Sequence, residues 1–256
     1  MPETDRALLE DAARAAGEIA RRHFRADPEV WEKGDQGPVT EADLAIDAML
    51  RERLTAARPD YGWLSEESAD DPSRLSCARV FVVDPIDGTR AFIDGQPDFT
   101  HALAVVEDGV PVAAAILQPM RDRMWSAARG AGASLNGTPI APTGCDAFEG
   151  ARVLAAKAGL RNGHWTGGAP PVTRTFRSSL AYRMALVAEG RFDAMLTLRA
   201  CWEWDIAAGA LICVEAGASA TDRHGQALRF NNPHPQVDGA VAGAPGLHRR
   251  LIARLA

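Results

Sequence analysis

The chain has 256 residues and a formal net charge of −6, enough length for one large domain or two smaller ones around a shared core. Without a basic run, that acidic balance argues against a duplex nucleic-acid binder, and no apolar run is long enough to span a bilayer. Cys77, Cys145, Cys201 and Cys213 are scattered, with no C-x-x-C pair, which points away from a zinc site or disulfide framework and toward a reducing, cytoplasmic setting.

Taken in order, Leu8, Ala12, Ala16, Ile19 and Ala20 fall at helical spacing within Glu3–Arg25; the interrupting Asp5, Arg6, Glu10 and Asp11 make this an amphipathic helix rather than a signal peptide. Trp31 to Pro38, with Lys33-Gly34-Asp35-Gln36-Gly37 inside it, reads as a loop. Thr40-Glu41-Ala42-Asp43 has capping-box form and opens a helix to about Ala57. Trp63-Leu64-Ser65 is a short strand leading into Glu66-Glu67, and Asp70–Ser76 a polar loop. Val80-Phe81-Val82-Val83 is a buried strand. It runs into Asp84-Pro85-Ile86-Asp87-Gly88-Thr89, where Pro85 and Gly88 predict a break and a tight turn. Thr89–Ile93 makes a turn or two of helix.

From Phe99 the pattern is a β-meander: His101–Val106, a hairpin turn at Asp108-Gly109, Val112–Leu117, Met124–Ala128 and a turn at Asn136-Gly137. Arg152–Ala156 and Thr173–Phe176 read as strands, Arg161–Pro171 as a mobile Gly- and Pro-rich surface loop, Ser179–Glu189 as a helix, Phe192–Leu198 as a strand, and Trp204 to Ala216 as a helix. Cys201 and Cys213 read as small core residues.

Asp84 and Asp87 carry the chemistry. An isolated Asp-x-x-Asp-Gly is most simply a turn, but two carboxylates at the end of a buried strand repel strongly and call for a proton or a cation between them. Mg²⁺, which takes oxygen ligands and keeps several waters, suits such a site. Glu66-Glu67 ends a neighbouring strand, and Asp205 stands at a helix start where capping is the simpler role. Gly88-Thr89 offers backbone N–H groups of the kind that hold phosphate oxygens. No Cys-x₅-Arg loop, Ser-His-Asp set or Walker loop is present, so neither a covalent phosphoenzyme nor ATP use has an apparatus.

Asp84-Pro85-Ile86-Asp87-Gly88-Thr89 and Trp204-Asp205-Ile206-Ala207-Ala208-Gly209 resemble the two signature motifs of the inositol monophosphatase superfamily, and Val39–Asp43 and Glu66-Glu67 match two further elements in family order. The resemblance implies an α/β (α+β) fold, a layered αβαβα sandwich, and lithium-sensitive, Mg²⁺-dependent hydrolysis of a phosphomonoester by metal-activated water. It implies two to three Mg²⁺ ions. Glu66, Asp84 and the Ile86 carbonyl would hold the first, Asp84, Asp87 and Asp205 the second, and Glu66 would help hold a weaker third through water. Thr89, bonded to Asp43, would orient the attacking water; Gly88, Thr89 and Lys33 would meet the phosphate. Residues 1–145 would form an N-terminal α+β domain with an antiparallel sheet and most metal ligands, and 146–256 a C-terminal α/β domain carrying Asp205 and the substrate side.

Ser65 before the acid pair, and Ser178–Arg183 followed by Val187–Gly190, resemble bacterial 3′(2′),5′-bisphosphate nucleotidases. Leu198 stands where animal inositol monophosphatases have an acid that contacts inositol. Ser178, Ser179, Tyr182 and Trp202 are the candidate substrate residues, with core packing the alternative for both aromatics. The partner expected is a small phosphorylated metabolite, with no membrane and no duplex nucleic acid, for a monomer or homodimer. The alternatives are an inositol, sugar or histidinol phosphatase and, outside catalysis, a regulatory binding module.

Overall fold

A computed structural model describes residues 1–34 and 37–256; Asp35 and Gln36, inside the expected Trp31–Pro38 loop, lie outside the described residues. In chain order the first half comprises α1 (Pro2–His23), β1 (Val30–Glu32), β2 (Pro38–Thr40), α2 (Glu41–Ala57), β3 (Gly62–Ser65), β4 (Arg79–Asp87), α3 (Thr89–Ile93), β5 (Thr100–Glu107), β6 (Val110–Gln118), β7 (Arg123–Ala128), β8 (Ala133–Leu135) and β9 (Thr138–Pro139). The second half comprises β10 (Arg152–Ala155), β11 (Thr173–Thr175), α4 (Leu180–Ala188), β12 (Ala194–Thr197), β13 (Cys201–Trp202), α5 (Glu203–Glu215), β14 (Ser219–Thr221), β15 (Gln236–Val237), β16 (Ala240–Gly243) and α6 (Pro245–Arg254).

Strands β3 to β9 form a seven-stranded sheet in sequence order, with β3 and β4 parallel and the later neighbours antiparallel. A five-stranded sheet has the order β11-β10-β12-β16-β14. Alternation along β4 sorts its side chains between two cores, as a pleated strand buried on both faces must. Phe81 and Val83 meet the alanine-rich face of α1 and the Ile46, Leu50 and Leu54 face of α2. Val80 and Val82 meet α4 and α5, whose other side packs on Leu154, Met195 and Ala242 of the second sheet. The far face of that sheet packs on Leu247 and Leu251 of α6. The layers are therefore helix, sheet, helix, sheet, helix. The central pair α4 and α5 lies so close that a Cβ on Gly209 would stand 2.6 Å from Met184 Cβ, a contact no side chain tolerates.

Three local readings change. The segment around Lys33 is flanked by strands, with Val30–Glu32 pairing antiparallel to Pro38–Thr40. The Asp70–Ser76 segment contains a 3₁₀ turn, Pro72–Ser76, around a buried Arg74. In the Gly- and Pro-rich Arg161–Pro171 segment, Trp165 is buried, donates its indole N–H to Gly159 O at 2.9 Å and pairs with Leu255; an aromatic anchor is what glycine and proline counts do not reveal. Cys201 and Cys213 are buried, all four cysteines are free, and burial pushes both buried thiols up to about 12.

Candidate active site

β4 does not end at Pro85. Asp84 pairs with Ala102 and Asp87 with Thr100, so Pro85 and Ile86 together face the single residue His101. The expected tight turn is thus a β-bulge, a place where proline's missing N–H costs no ladder bond. The turn itself comes at Gly88, with φ +106° and a would-be Cβ 3.3 Å from Asp98 O; backbone angle and space both require glycine. The bulge leaves Asp84 and Asp87 buried. β3 runs parallel beside β4, and Glu66 N–H donates to Val83 O at 3.3 Å, so the acid pair emerges beside them. Asp205 stands in the first turn of α5.

One carboxylate oxygen from each of Glu66, Asp84 and Asp205 can lie within 4.8 Å of the others. Among the described residues Asp84 Oδ1 is buried with no hydrogen-bond partner. Burial, then Glu66, Asp87 and Asp205, hold the Asp84 pKa well above the usual carboxylate range. Burial, then Asp87 and Glu66, do the same to Asp205, although Arg199 and the Trp202 N–H oppose them. A buried carboxylate oxygen without a donor, in an all-oxygen set of acids, fits a hard divalent cation and little else.

Asp87 is fixed from behind, and the segments carrying Glu66 and Asp205 are braced by their neighbours. Asp87 Oδ2 accepts from Ser179 Oγ and from Ala181 N–H, both at 2.7 Å, leaving its other oxygen for the cluster. Burial raises Asp87 to about 6 despite those bonds. Asp47 accepts from Ser65 Oγ and Ser68 Oγ at 2.5 Å each, bracing both sides of the acid pair. Glu203, fully buried two residues before Asp205, accepts from Asn231 N–H, Asn232 N–H and Asn232 Nδ2. Arg74 donates to Asp70, to Asn231 Oδ1 at 2.6 Å and to Asn232 O. The segment after Glu66-Glu67 is thereby tied to the start of α5.

Asp43 combines two roles. Its Oδ2 closes the capping box with Thr40 N–H at 2.9 Å, and its Oδ1 lies 3.2 Å from Thr89 Oγ. Thr89 Oγ also lies 3.1 Å from Ile86 O. Both partners only accept, so the single hydroxyl proton is shared between them. Burial pushes Asp43 up to about 6 against the Thr40 bonds, so it is ionised at neutral pH. Lys33 Nζ donates to Glu66 at 3.1 Å and to Glu67 at 2.8 Å. Burial works against its ammonium, yet the two glutamates hold its pKa above the ordinary value, while burial and Glu66 raise Glu67 to about 7.

On the substrate side, Ser178 and Trp202 are half-buried. Trp202 stacks on Trp204 at 4.8 Å, with His234 edge-on. Ser179 is fully buried, capping α4 and holding Asp87. Tyr182 takes the core alternative: it is 1% exposed and packs on Trp125, so its ring has no face for a ligand. Leu198 is buried. Asp47, Arg74, Glu203 and His101 went unread in the sequence. Asp47 lies one helical turn beyond Asp43 in α2, the one periodic signal that pointed to a member of this group.

The whole chain, residues 1–256, matches the model of the inositol monophosphatase family. It is 34% identical to an inositol-1-monophosphatase of Rhizobium meliloti over 75% of each chain. It is 33% identical to the histidinol-phosphatase of Mycobacterium tuberculosis over 100% of this chain and 99% of that one. It is 31% identical to the 3′(2′),5′-bisphosphate nucleotidase CysQ of Aggregatibacter actinomycetemcomitans over 90% of each. Among solved structures, the IMPase of Thermotoga maritima superposes with a TM-score of 0.83 at 26% identity, covering 99% of this chain and 96% of that one. The same layered sandwich, the acid cluster and the full-length match lead to one conclusion: the chain belongs to the inositol monophosphatase family and is a metal-dependent phosphatase of small phosphorylated substrates.

Proposed function

We propose that the protein is a Mg²⁺-dependent phosphomonoesterase whose preferred substrate is a 3′(2′),5′-bisphosphate nucleotide, hydrolysed to the nucleoside monophosphate and phosphate. The observation that carries the reaction is the unpartnered buried oxygen of Asp84 among Glu66, Asp87 and Asp205. In this reading Glu66, Asp84 and the Ile86 carbonyl would hold one ion, Asp84, Asp87 and Asp205 would hold a second, and Glu66 would help hold a weaker third through water. Bound there, the ions would neutralise the phosphate and make a water acidic enough to attack.

The chain's own residues do the rest. Thr89 Oγ takes a hydrogen bond from the attacking water while its own proton turns to ionised Asp43. The N–H groups of Gly88 and Thr89 orient phosphate oxygens. Lys33, on the flank of the acid pair, offsets their charge and approaches the phosphate. Residues 1–145 supply the metal seat, and 146–256 add Asp205 and the substrate side.

The nucleotide preference rests on Leu198, which puts an apolar side chain where a polyol-binding acid would stand, and on the half-buried indole of Trp202, a face for a base. The free cysteines suit a reducing compartment such as the cytoplasm, and among the described residues no helix is long and apolar enough to cross a membrane. Phosphate release from adenosine 3′,5′-bisphosphate, inositol 1-phosphate, histidinol phosphate and fructose 1,6-bisphosphate tests the preference. The nucleotide should lead; its ranking among the poorest overturns the substrate. Lithium should inhibit turnover of whichever substrate leads.

A further inference from the structure

The β4 bulge raises a question that the metal ligands alone do not answer: what holds it. Where Pro85 and Ile86 share one place on the ladder, the partner strand contributes His101. Its side chain is fully buried, and Nδ1 lies 2.5 Å from Pro85 O. A carbonyl oxygen can only accept, so Nδ1 carries the proton. Burial, opposed by that same bond, pushes the His101 pKa down to about 4, so the ring is neutral and Nε2 is bare. Nε2 is buried with no hydrogen-bond partner among the described residues.

A buried acceptor left bare is a cost that a leucine or valine in the same place would avoid. What the imidazole adds over an apolar side chain is one donor, aimed at the Pro85 carbonyl. That carbonyl belongs to the peptide plane joining Pro85 to Ile86. Fixing it fixes the backbone from which the Ile86 carbonyl and the Asp87 side chain depart, between one acid paired to Ala102 and the next paired to Thr100. The bond that Ile86 O accepts from Thr89 Oγ, at 3.1 Å, is the one Thr89 gives up when its proton turns to Asp43. His101 is then a support at the middle of the bulge that does not change during turnover, between the ladder pairs of Asp84 and Asp87.

We propose that His101 is a positioning residue for the metal seat: its Nδ1–H holds the Pro85 carbonyl and with it the path of the backbone that presents the Ile86 carbonyl and leads to Asp87, whose carboxylate Ser179 and Ala181 orient. The proposal rests on the metal reading above. It makes His101 a support behind the ligands, of the kind whose loss weakens metal binding by about 10- to 100-fold.

The test is calorimetric titration of the substrate-free full chain with Mg²⁺ alone, on wild type, His101→Leu and His101→Asn. Asparagine places an N–H near the position of Nδ1; leucine fills the space without one. The expected result is a loss of Mg²⁺ affinity of about tenfold or more in His101→Leu, with His101→Asn much closer to wild type. Equal affinity in wild type and folded His101→Leu overturns the proposal, as does equal weakening in both variants at equal melting temperature, which would mark a packing role. Should His101→Leu fail to fold, His101→Asn and the ¹⁵N spectrum of histidine-labelled wild type decide: an Nδ1–H tautomer at His101, absent from the Asn variant's spectrum, supports it, and an Nε2–H tautomer overturns it. Asp84→Asn separates this from the metal reading. If that variant binds Mg²⁺ as wild type does, the seat itself is misassigned; if it loses Mg²⁺ while His101→Leu does not, only His101's role fails.

Discussion

The two sides of the site are built differently. Around Asp84 and Asp87 the neighbours are buried and tied by short bonds from Ser179, Ala181 and His101. The segments that flank Asp87 and Asp205 from the second half are open: Phe176 is 49% exposed, Arg199 and Ala200 are exposed, and Ser178 and Trp202 half-buried. The first side gathers charge at a cost in stability. The second can change residues cheaply, because little packing depends on them. A family whose relatives include inositol, histidinol and nucleotide phosphatases at similar identity is what such a division allows: one reaction centre, with selectivity varied at the open edge.

The comparison predicts a graded series of effects. Asp84→Asn should lower phosphate release by about 10³-fold, the scale of losing a principal charge-stabilising group. It should also leave the metal-free protein at least as stable, since it removes one of several repelling charges. A fall in melting temperature would show that Asp84 holds the fold rather than a cation. Thr89→Ala should lower kcat by about 10²-fold, and Thr89→Ser should restore most of it; equal loss in both would assign the threonine methyl, not its hydroxyl.

The pH dependence of stability in metal-free protein follows from the same cluster. Asp43 and Asp87 are raised to about 6 and Glu67 to about 7, above the values these acids have in an unfolded chain. Between the two values the folded state binds more protons, so stability falls as pH rises. Metal-free protein should therefore melt lower at pH 8 than at pH 5, by about 2–4 °C for each kcal/mol of repulsion. Mg²⁺ should raise the melting temperature more at pH 8. A metal-free melting temperature that rises from pH 5 to 8 would break the account of the buried side.

Leu198 stands next to the exposed Arg199 and Ala200 but is itself buried in the second-half core. Leu198→Asp should therefore lower the melting temperature and, in the protein that still folds, shift the kcat/KM ratio of inositol 1-phosphate to adenosine 3′,5′-bisphosphate by about tenfold toward inositol. A loss of kcat on both substrates would place Leu198 with the buried machinery instead.

Much of this was legible in the chain. The capping box at Thr40 to Asp43, the apolar run into Asp84 and the small-residue run after Asp205 are local patterns, and each sits where its pattern puts it. The second use of Asp43, toward Thr89, was implied only by the family resemblance; in the fold its Oδ1 lies 3.2 Å from Thr89 Oγ. What stayed hidden is non-local. Arg74 lay in a stretch read as polar loop, and its partners Asn231 and Asn232 are more than 150 residues away. Ser179 became a substrate candidate through the resemblance of Ser178–Arg183 to nucleotidases, whereas in the fold its hydroxyl caps α4 and supports Asp87, a pairing 92 residues apart that no local pattern shows. Pro85 looked like a strand breaker because the bulge that accommodates it depends on the register of β5, which composition does not set. Ser65 served as a marker of substrate class, yet its hydroxyl is bonded to Asp47.

The central claim is that the buried acids are a cation seat on which hydrolysis depends. The direct measurement is phosphate release from adenosine 3′,5′-bisphosphate and inositol 1-phosphate by wild-type protein stripped with a chelator, then titrated with Mg²⁺. The account predicts that turnover of both disappears in chelator and returns saturably with Mg²⁺ in wild type but not in Asp84→Asn. Undiminished turnover in chelator, or full recovery in Asp84→Asn, would contradict it.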